Sequence, residues 1–358
     1  MAERIVITGG AGFIGCALSR ALVSGGDKVV AIDNLHPQIH GQATRPIALL
    51  PDVELIVADV CNGEFWDTFL SEYRPTTVVH LAAETGTAQS LLESTRHGHV
   101  NVIGTTQMLD AFGRAGFRPQ HIVLTSSRAI YGEGAWSGKN GQIFYPEVRS
   151  HEQLSNALWD FTQDGEIARA LPHRAKRIFP NPSSVYGATK LAQENILTAW
   201  TSAMNVPLSI FRLQNVYGPG QSPFNPYAGI INIFHRAAFS GGAINVYEDG
   251  LIGRDFVFID DVANVLAKGI AQPPHTRRLL DVGSGRATTI LEAARAIAAL
   301  HNAPSPIISG QFRDGDVRWA VAQTDDLQRE LSIKAEVDFI ETGARLVGDW
   351  LIEKGYMA

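Results

Sequence analysis

Short runs of β-branched and aliphatic residues alternate, along the first half of the chain, with longer segments in which apolar residues recur at helical spacing. The apolar runs predict buried strands and the longer segments predict helices. Two predicted helices are Cys16–Ser24 and Val100–Gly113. The predicted strands are Arg4–Thr8, Lys28–Ile32, Val53–Val57, Thr77–Leu81 and His121–Thr125. Because strand–helix–strand connections share one hand, this alternation predicts an α/β fold, a doubly wound parallel sheet with helices on both faces.

The alternation stops at Gly132–Pro180, a segment rich in Gly, Pro, Trp and mixed charge. It is too long for an ordinary connection, so we predict an insertion with one or two helices of its own, near Gln153–Phe161. A helix at Tyr186–Ala203 and a strand at Leu208–Leu213 follow.

Pro- and Gly-rich loops dominate after Pro219, with scattered short apolar runs. Two of these runs, Val257–Ile259 and Leu279–Val282, are predicted to return to the main sheet. We therefore expect a first domain at 1–217, including an insertion at about 132–180 and receiving further strands from about 256–283. A smaller, interleaved α/β domain is expected mainly at 218–358.

Composition and charge exclude several classes of protein. The 358 residues are 45% hydrophobic and 18% charged, and the formal net charge of −6 argues against a general nucleic-acid binder. Two cysteines, Cys16 and Cys61, give no disulfide framework. Neither a signal segment nor an apolar run of the roughly 18 residues that a membrane helix needs is present, so we expect a cytoplasmic protein without membrane contact.

Three glycines follow the first predicted strand and open the first helix. Gly9, Gly12 and Gly15 form the pattern G-x-x-G-x-x-G. The first permits a tight turn, the second lets backbone approach a pyrophosphate, and the third lets helix and strand lie close together. Backbone N–H groups at the start of the helix then face the phosphates. This is the phosphate-binding pattern of a Rossmann domain.

Two aspartates indicate which dinucleotide binds. Asp33 ends the second strand, about 20 residues after the glycines, where a carboxylate accepts hydrogen bonds from a ribose 2′-hydroxyl and repels a 2′-phosphate. Asp59 follows the third strand, where an adenine edge is expected. The alternatives are a strand-end turn for Asp33 and a helix N-cap for Asp59. Asp33 favours NAD over NADP.

A Tyr-x-x-x-Lys pair lies on the predicted helix after the insertion. The i, i+4 spacing puts Tyr186 and Lys190 on one helix face. A nearby ammonium and a positive nicotinamide ring favour the phenolate and lower the tyrosine pKa from about 10. Ser127, at the end of the fifth strand, is a candidate donor to a substrate oxygen, because ligands bind at the carboxyl ends of such strands. Tyr131 is interpreted as packing or as lining the substrate site.

In combination, these motifs resemble those of the extended short-chain dehydrogenases/reductases, which include nucleotide-sugar epimerases and dehydratases. The matching motifs are Gly9–Gly15, Asp33-Asn34-Leu35, Leu81-Ala82-Ala83, Ser126-Ser127, Tyr186-x-x-x-Lys190 and Asn215–Gly220. The resemblance implies a tightly held NAD, a nucleotide-diphosphate sugar and transient oxidation at C4. It implies as cofactor-binding residues Gly9, Gly12, Phe13, Ile14, Gly15, Asp33, Asn34, Asp59, Val60, Leu81, Ala82, Ala83, Tyr186 and Lys190.

Within this family, the sequence favours epimerisation. The related dehydratases carry an Asp-Glu pair where this chain has Arg128-Ala129, and the glutamate of related decarboxylases is also missing. Epimerisation needs only the Tyr186, Ser127 and Lys190 set with NAD. A narrower resemblance, to dTDP-L-rhamnose 4-epimerases, is carried by Asp33–Gly41, Ala82–Thr87, Tyr131–Gly134 and Phe211–Asn225. It implies interconversion of dTDP-L-rhamnose and dTDP-6-deoxy-L-talose. Relatives with a similar insertion often carry cysteine pairs there, whereas this insertion has none.

Arginine forks suit a diphosphate, and similar epimerases bind it at positions that match several residues here. The candidate substrate-binding residues are Glu84, Thr85, Ser127, Arg128, Asn215, Arg254, Arg313 and Arg318. Asn225 and Tyr227 are candidates for lining the base or sugar pocket. His36, His40, His97 and His99 have no partner set for a metal, so none is predicted.

Other functions remain open from the sequence. They are a UDP-glucose/UDP-galactose-type 4-epimerase, an NAD(P)H-dependent 4-keto-sugar reductase, and a non-catalytic NAD-sensing protein on the same fold. Similar enzymes pair through two long helices, here Val100–Gly113 and Tyr186–Ala203, so we expect a homodimer.

Overall fold

The computed structural model describes residues 3–41, 43–222 and 229–357. Contacts within the chain divide it into two compact units. The first comprises Met1–Ala129, Ser184–Arg212 and Val262–Leu280, and the second comprises Ile130–Ser183, Leu213–Asp261 and Asp281–Ala358. The insertion predicted at about 132–180 thus belongs to the second unit.

A seven-stranded sheet forms the centre of the first unit and confirms the predicted fold class. Its strands, in chain order, are β1 Arg4–Thr8, β2 Lys28–Asp33, β3 Glu54–Val57, β4 Thr77–His80, β5 His121–Ser127, β6 Leu208–Leu213 and β7 Arg277–Val282. Their order across the sheet is β7-β6-β5-β4-β1-β2-β3, and β1 pairs in parallel with both β2 and β4. The order therefore reverses between β1 and β4, and doubly wound sheets bind ligands at such a point.

Helices cover this sheet, as the apolar periodicity predicts. They are Phe13–Ser24, Pro37–His40, Gly63–Glu72, Thr87–Leu92, Ser94–Gly98, Gly104–Arg114, Val185–Met204 and Ile259–Ala271, with a π-helical segment at His99–Ile103 and a 3₁₀ turn at Arg128–Tyr131. Trp66, Phe112 and Leu197 lie in the buried cluster on one face of the sheet. Burying these aromatic and aliphatic side chains stabilises the helices against the strands.

The second unit is built from short elements. Its helices are His151–Ser155, Ile230–Phe239, Ile290–Leu300, Asp325–Leu331 and Ala344–Glu353, with a π-helical segment at Phe339–Gly343. Its strands are Trp136–Ser137, Ile143–Phe144, Thr162–Gln163, Glu166–Ile167, Arg169–Ala170, Asn215–Tyr217, Asn245–Val246, Gly253–Arg254, Phe256–Phe258, Thr288–Thr289, Ile307–Ile308 and Trp319–Ala320. Trp136, Phe161 and Ala168 form a small core for the insertion.

Two details of the predicted elements are wrong. The run predicted as a strand at Val257–Ile259 does not join the main sheet, because Phe256–Phe258 pairs in parallel with Asn215–Tyr217 in a separate two-stranded sheet. In the insertion, the helix ends at Ser155, and the rest of the predicted helical stretch, up to Phe161, is turn and loop, with paired short strands following it. The first error concerns a run of three residues, for which periodicity cannot identify the partner strand.

Candidate active site

The glycine loop between β1 and the first helix is shaped by steric need. Gly9 has φ +67°, and a Cβ there would lie 2.8 Å from the backbone nitrogen of Ala82. A Cβ on Gly15 would lie 2.6 Å from the carbonyl oxygens of Gly9 and Gly10. The helix begins after Gly12, where no side chain caps the first turn. The loop therefore forms a cradle with backbone N–H groups at a helix start, which fits a pyrophosphate.

Asp33 joins this loop to the end of β2. Its Oδ2 accepts a hydrogen bond from Ala11 N at 3.1 Å, and its Oδ1 accepts one from Leu35 N at 2.9 Å. His40 Nε2 lies 3.4 Å from Oδ1. The carboxylate is thus fixed beside the glycine loop, where a ribose of a bound dinucleotide is expected.

Asp59 and Asn34 form a second polar pair at the ends of β3 and β2. Asn34 Nδ2 donates to Asp59 Oδ2 at 3.3 Å, and Cys61 N donates to Asp59 Oδ1 at 2.8 Å. Asn62, not Asp59, caps the helix Gly63–Glu72. The N-cap alternative for Asp59 is therefore wrong, and this pair fits the adenosine end of the cofactor.

Tyr186 lies at the start of the helix Val185–Met204. Ser184 caps that helix by accepting from Gly187 N at 3.1 Å, and Tyr186 N donates to Ser90 Oγ at 3.0 Å. The side chain of Ser127, the last residue of β5, is placed to hydrogen-bond to the ionised Tyr186 phenol. The structure thus brings together two of the three predicted catalytic residues.

The ring of Tyr186 is partly exposed, and its surroundings raise the pKa of the phenol. Burial of the hydroxyl is the main cause, while the hydrogen bond from Ser127 and the positive charge of Arg128 oppose it. The sequence predicts that the Lys190 ammonium lowers this pKa. In the structure, Ser127 and Arg128 are the groups that lower it.

Lys190 is buried one helical turn further along, and its Nζ donates to Gln193 Oε1. Burial lowers the pKa of Lys190 to about 7, and the negative charge of Glu194 opposes this. Glu194 is itself paired with Arg212 of β6 at 2.7 Å. Lys190 thus differs from an ordinary surface lysine, because its ammonium is bound to a buried amide and its pKa is lowered.

A buried polar network beneath Lys190 was not found from the sequence. Gln193 Nε2 donates to Thr105 Oγ1 at 3.0 Å and lies 3.3 Å from His80 Nε2. His80 Nδ1 lies 2.8 Å from Thr8 Oγ1. Burial, together with the smaller effect of the Lys190 charge, lowers the pKa of His80 to about 3, so the imidazole is neutral. The only sequence signal is a histidine ending a buried apolar strand.

Asn101 is a second residue that sequence reasoning missed. It lies in the π-helical segment His99–Ile103, a distortion frequently found at functional sites. Its Oδ1 accepts from Glu84 N at 2.8 Å, and its Nδ2 donates to Thr189 Oγ1 at 2.9 Å and to Glu84 O. Asn101 therefore ties the loop after β4 to the helix that carries Tyr186.

Glu84 and Thr85, the two substrate-binding candidates in the loop after β4, both contact side chains of a helix that follows it. Glu84 Oε2 pairs with Arg96 at 2.7 Å, and Thr85 O lies 3.3 Å from His97 Nε2. His97 has a structural role, because its Nδ1 also lies 3.0 Å from Glu93 O.

The remaining candidate arginines lie in the second unit and differ sharply. Arg254 is buried in the strand Gly253–Arg254, and burial lowers its pKa against the opposing charges of Asp316 and Glu133. Arg313 is exposed, with its guanidinium carbon 5.3 Å from the centre of the Tyr247 ring. Both keep chemistry that suits a phosphate.

Arg318 is committed to carboxylates. Its guanidinium donates to Asp160 at 2.8 Å and to both oxygens of Asp249 at 2.7 and 2.8 Å, and a further bond reaches Glu248. Burial alone would lower the pKa of Arg318, but the hydrogen bonds to Asp249 and Asp160 outweigh it and raise that pKa. These contacts hold the guanidinium of Arg318 among carboxylates, which is a structural role.

Asn215 begins the strand Asn215–Tyr217, and its backbone nitrogen donates to Asp255 O at 3.0 Å. Tyr131 is fully buried, and its hydroxyl donates to Asp281 Oδ1 at 2.8 Å, which fits the packing interpretation. Asn225 and Tyr227 lie outside the described residues.

Within the described ranges, no cluster of three or more His, Cys, Asp or Glu side chains has the arrangement of a metal site. Across the same residues, no helix combines the length and apolar character needed to cross a membrane.

A parallel sheet with a glycine cradle, an acidic end to β2 and a Ser–Tyr pair defines an NAD-binding oxidoreductase-type site. The family model described as "NAD dependent epimerase/dehydratase family" matches residues 5–150 and 165–282. The chain belongs to this family. The family predicted from the sequence and its NAD cofactor are thereby confirmed.

Similarity to individual proteins indicates which enzymes of this family the chain resembles. The chain is 50% identical, over 98% of its length and 96% of the other's, to dTDP-L-rhamnose 4-epimerase of Burkholderia thailandensis. It is 28% identical to UDP-glucose 4-epimerase of Mycolicibacterium smegmatis, over 96% of this chain and 97% of that protein. The predicted enzyme class, an NAD-dependent 4-epimerase, is confirmed.

Solved structures agree with the fold. UDP-glucose 4-epimerase of Thermotoga maritima, with UDP-glucose, superposes with a TM-score of 0.77 at 25% identity, covering 98% of this chain and 99% of that one. UDP-glucose 4-epimerase of Thermus thermophilus, in complex with NAD, gives a TM-score of 0.75 at 26% identity with the same coverage.

Proposed function

We propose that this enzyme interconverts dTDP-L-rhamnose and dTDP-6-deoxy-L-talose by epimerisation at C4 of the sugar. The observation that carries the chemistry is the placement of Ser127 beside the Tyr186 phenol at the carboxyl end of β5. The 50% identity to a dTDP-L-rhamnose 4-epimerase, over nearly the whole chain, supports the choice of substrate.

NAD, when bound in the glycine cradle, supplies a hydride acceptor and donor for C4 of the sugar. Tyr186 would accept the proton of the C4 hydroxyl when C4 is oxidised. After the 4-keto sugar has turned, Tyr186 would return a proton to the C4 oxygen, and inversion would come from hydride return to the opposite face of C4. Ser127 holds the C4 oxygen by a hydrogen bond, and Arg128 adds positive charge beside the phenol. These side chains therefore manage the proton and the hydrogen bonds at the C4 oxygen, while the turn of the sugar ring between the two hydride transfers accounts for inversion.

The residues beside Ser127 argue against dehydration. Water loss needs an acid to protonate the departing hydroxyl. Arg128 and Ala129 occupy the two positions after Ser127. Alanine has no proton to give, and the pKa of an arginine is too high for it to act as the acid. The proposal is therefore epimerisation without elimination.

Arg254 and Arg313 are the proposed contacts for the substrate diphosphate, together with Asn215. A planar guanidinium can donate two parallel hydrogen bonds to a phosphate. Arg318 is assigned a structural role in this proposal, because its guanidinium is bound to carboxylates.

The decisive experiment is proton NMR of the purified enzyme with dTDP-L-rhamnose and no added cofactor. We expect rhamnose signals to be replaced in part by 6-deoxytalose signals until equilibrium is reached. Conversion of UDP-glucose but not of dTDP-L-rhamnose would assign the enzyme to the galactose branch. Turnover only with stoichiometric NADH would indicate a 4-keto-sugar reductase, and NAD binding without turnover would indicate a sensor.

A homodimer and a cytoplasmic location accompany this proposal. The helices Gly104–Arg114 and Val185–Met204 are the proposed pairing surface, by analogy with similar enzymes. A monomeric mass in light scattering would contradict the dimer.

A further inference from the structure

Gln193 is a fully buried amide directly below the Tyr-x-x-x-Lys pair. It is 0% exposed and lies three residues after Lys190 on the same helix. Its oxygen accepts from Lys190 Nζ, while its nitrogen faces Thr105 of the neighbouring helix and His80 of β4. Burying an amide is costly unless its groups are paired, so these contacts define its position.

The amide can be oriented in only one way. An ammonium has donors and no acceptor, so the oxygen must face Lys190. The amide nitrogen then donates to Thr105 Oγ1 at 3.0 Å. The Thr105 hydroxyl donates its hydrogen bond to Asn101 O at 2.6 Å. Its oxygen is therefore the acceptor for the amide nitrogen of Gln193. The network is therefore directional from Lys190 through Gln193 to Thr105.

We propose that Gln193 is a positioning residue that holds the ammonium of Lys190 at the site and favours its charged form. The amide oxygen offers this ammonium a hydrogen bond that replaces one from water. A hydrogen bond to the charged form of a group favours that form. Gln193 thus acts on the proposed reaction through Lys190.

The charges around Lys190 act differently: Glu194 favours the ammonium through its charge, but it is not the group to which the ammonium donates. From β4, Lys190 faces His80, which is neutral. On its own helix it faces Glu194, whose carboxylate is bound to Arg212 at 2.7 Å. Lys190 Nζ therefore depends on the amide oxygen of Gln193 as its hydrogen-bond acceptor, and neither His80 nor Glu194 replaces it.

The test measures the ionisation of Lys190 directly. The sequence contains seven lysines, and Lys28, Lys139, Lys176, Lys268, Lys334 and Lys354 are all exposed. Carbon-13 NMR of the NAD-loaded protein, labelled at lysine Cε, gives one titration curve for each. The resonance that disappears in a Lys190→Met variant belongs to the buried lysine.

Two substitutions at Gln193 should shift this curve in opposite directions. Gln193→Met keeps the volume but removes the acceptor, so the Lys190 midpoint should fall by about one pH unit. Gln193→Glu places a carboxylate there, so the midpoint should rise by a similar amount. Thr201→Val, a buried polar position on the same helix that bonds only to helix carbonyls, is the matched control and should leave it unchanged.

A purely structural glutamine would lower the melting temperature without moving the lysine midpoint. Unchanged midpoints in Gln193→Met and Gln193→Glu would overturn the proposal. If only one variant folds, its curve decides, because each substitution has its own predicted direction. The kinetic counterpart rests on the proposed function: kcat should fall in Gln193→Met with little change in KM. The NMR result stands even if dTDP-L-rhamnose is not the substrate.

Discussion

A phenol and a strand-end serine lie beside each other in the site, and burial of the phenol opposes its ionisation. Burial raises the pKa of Tyr186, and Ser127 and Arg128 only partly compensate. Lys190 directs its ammonium to Gln193. Proton transfer at neutral pH therefore needs additional positive charge near the phenol, and an oxidised nicotinamide ring has that charge.

Removing the Tyr186 hydroxyl should abolish the proposed proton transfer. Tyr186→Phe should lower turnover by about 10²–10⁴-fold, the usual contribution of a positioned acid–base group. NAD content should stay normal, because the glycine cradle is untouched. The matched control is Tyr131→Phe, which removes a buried hydroxyl bound to Asp281. That variant should lose stability by about 1 kcal/mol but keep its turnover. Near-normal rates in Tyr186→Phe would show that another group moves the proton.

Ser127 should influence both rate and pH dependence. Its hydrogen bond lowers the pKa of Tyr186, so Ser127→Ala should raise that pKa further. If the phenolate is the reactive form, the rising limb of kcat against pH should move to higher pH. Ser126→Ala is the control, because Ser126 Oγ is buried without a hydrogen-bond partner among the described residues. A pH profile that moves equally in both variants would contradict this role.

Among the elements, the glycine loop and its flanking strand were predicted, and so was the helix that follows, although this helix begins at Phe13 and not at Cys16. Each of its requirements is local: a positive φ, a close approach and a helix start, all within seven residues. The network of Gln193, His80 and Thr105 was not predicted, since its members are far apart in sequence. Nothing in a Gln three residues after a Lys reveals which strand lies beneath it. The same limit explains the strand Phe256–Phe258, whose partner was misassigned.

The steric role of the glycine loop can be tested at Gly15. Gly15→Ala places a methyl 2.6 Å from two backbone oxygens that have little freedom to move. We expect the loop to shift and the purified protein to lose most of its bound NAD, measured by absorbance after denaturation. Gly113→Ala is the control, because a Cβ there meets nothing within 4 Å. That helical variant should keep its cofactor and gain up to about 1 kcal/mol of stability. Full NAD content in Gly15→Ala would contradict the steric assignment.

At the scale of the whole molecule, buried histidines link stability to pH. Burial lowers the pKa to about 3 for His80, about 4 for His121 and about 3 for His235. Each is neutral in the folded protein near pH 5, whereas the unfolded chain binds a proton at each below about 6.5. Glu133 acts in the opposite direction, since burial raises its pKa to about 7 and the folded state holds that proton.

The sign of the resulting pH dependence follows from counting protons. Near pH 5 the unfolded state binds three more at the histidines and about one fewer at Glu133, so the free energy of unfolding should fall by about 3 kcal/mol for each unit of acidification. The loss should begin below pH 6.5. Urea denaturation at several pH values measures this slope. His121→Asn should reduce it by about 1.4 kcal/mol per pH unit, because one titrating site is removed. His151→Asn is the control, since its side chain is 72% exposed beside Asp314. Equal slopes in all three proteins would mean that the acid sensitivity arises from the carboxylates instead.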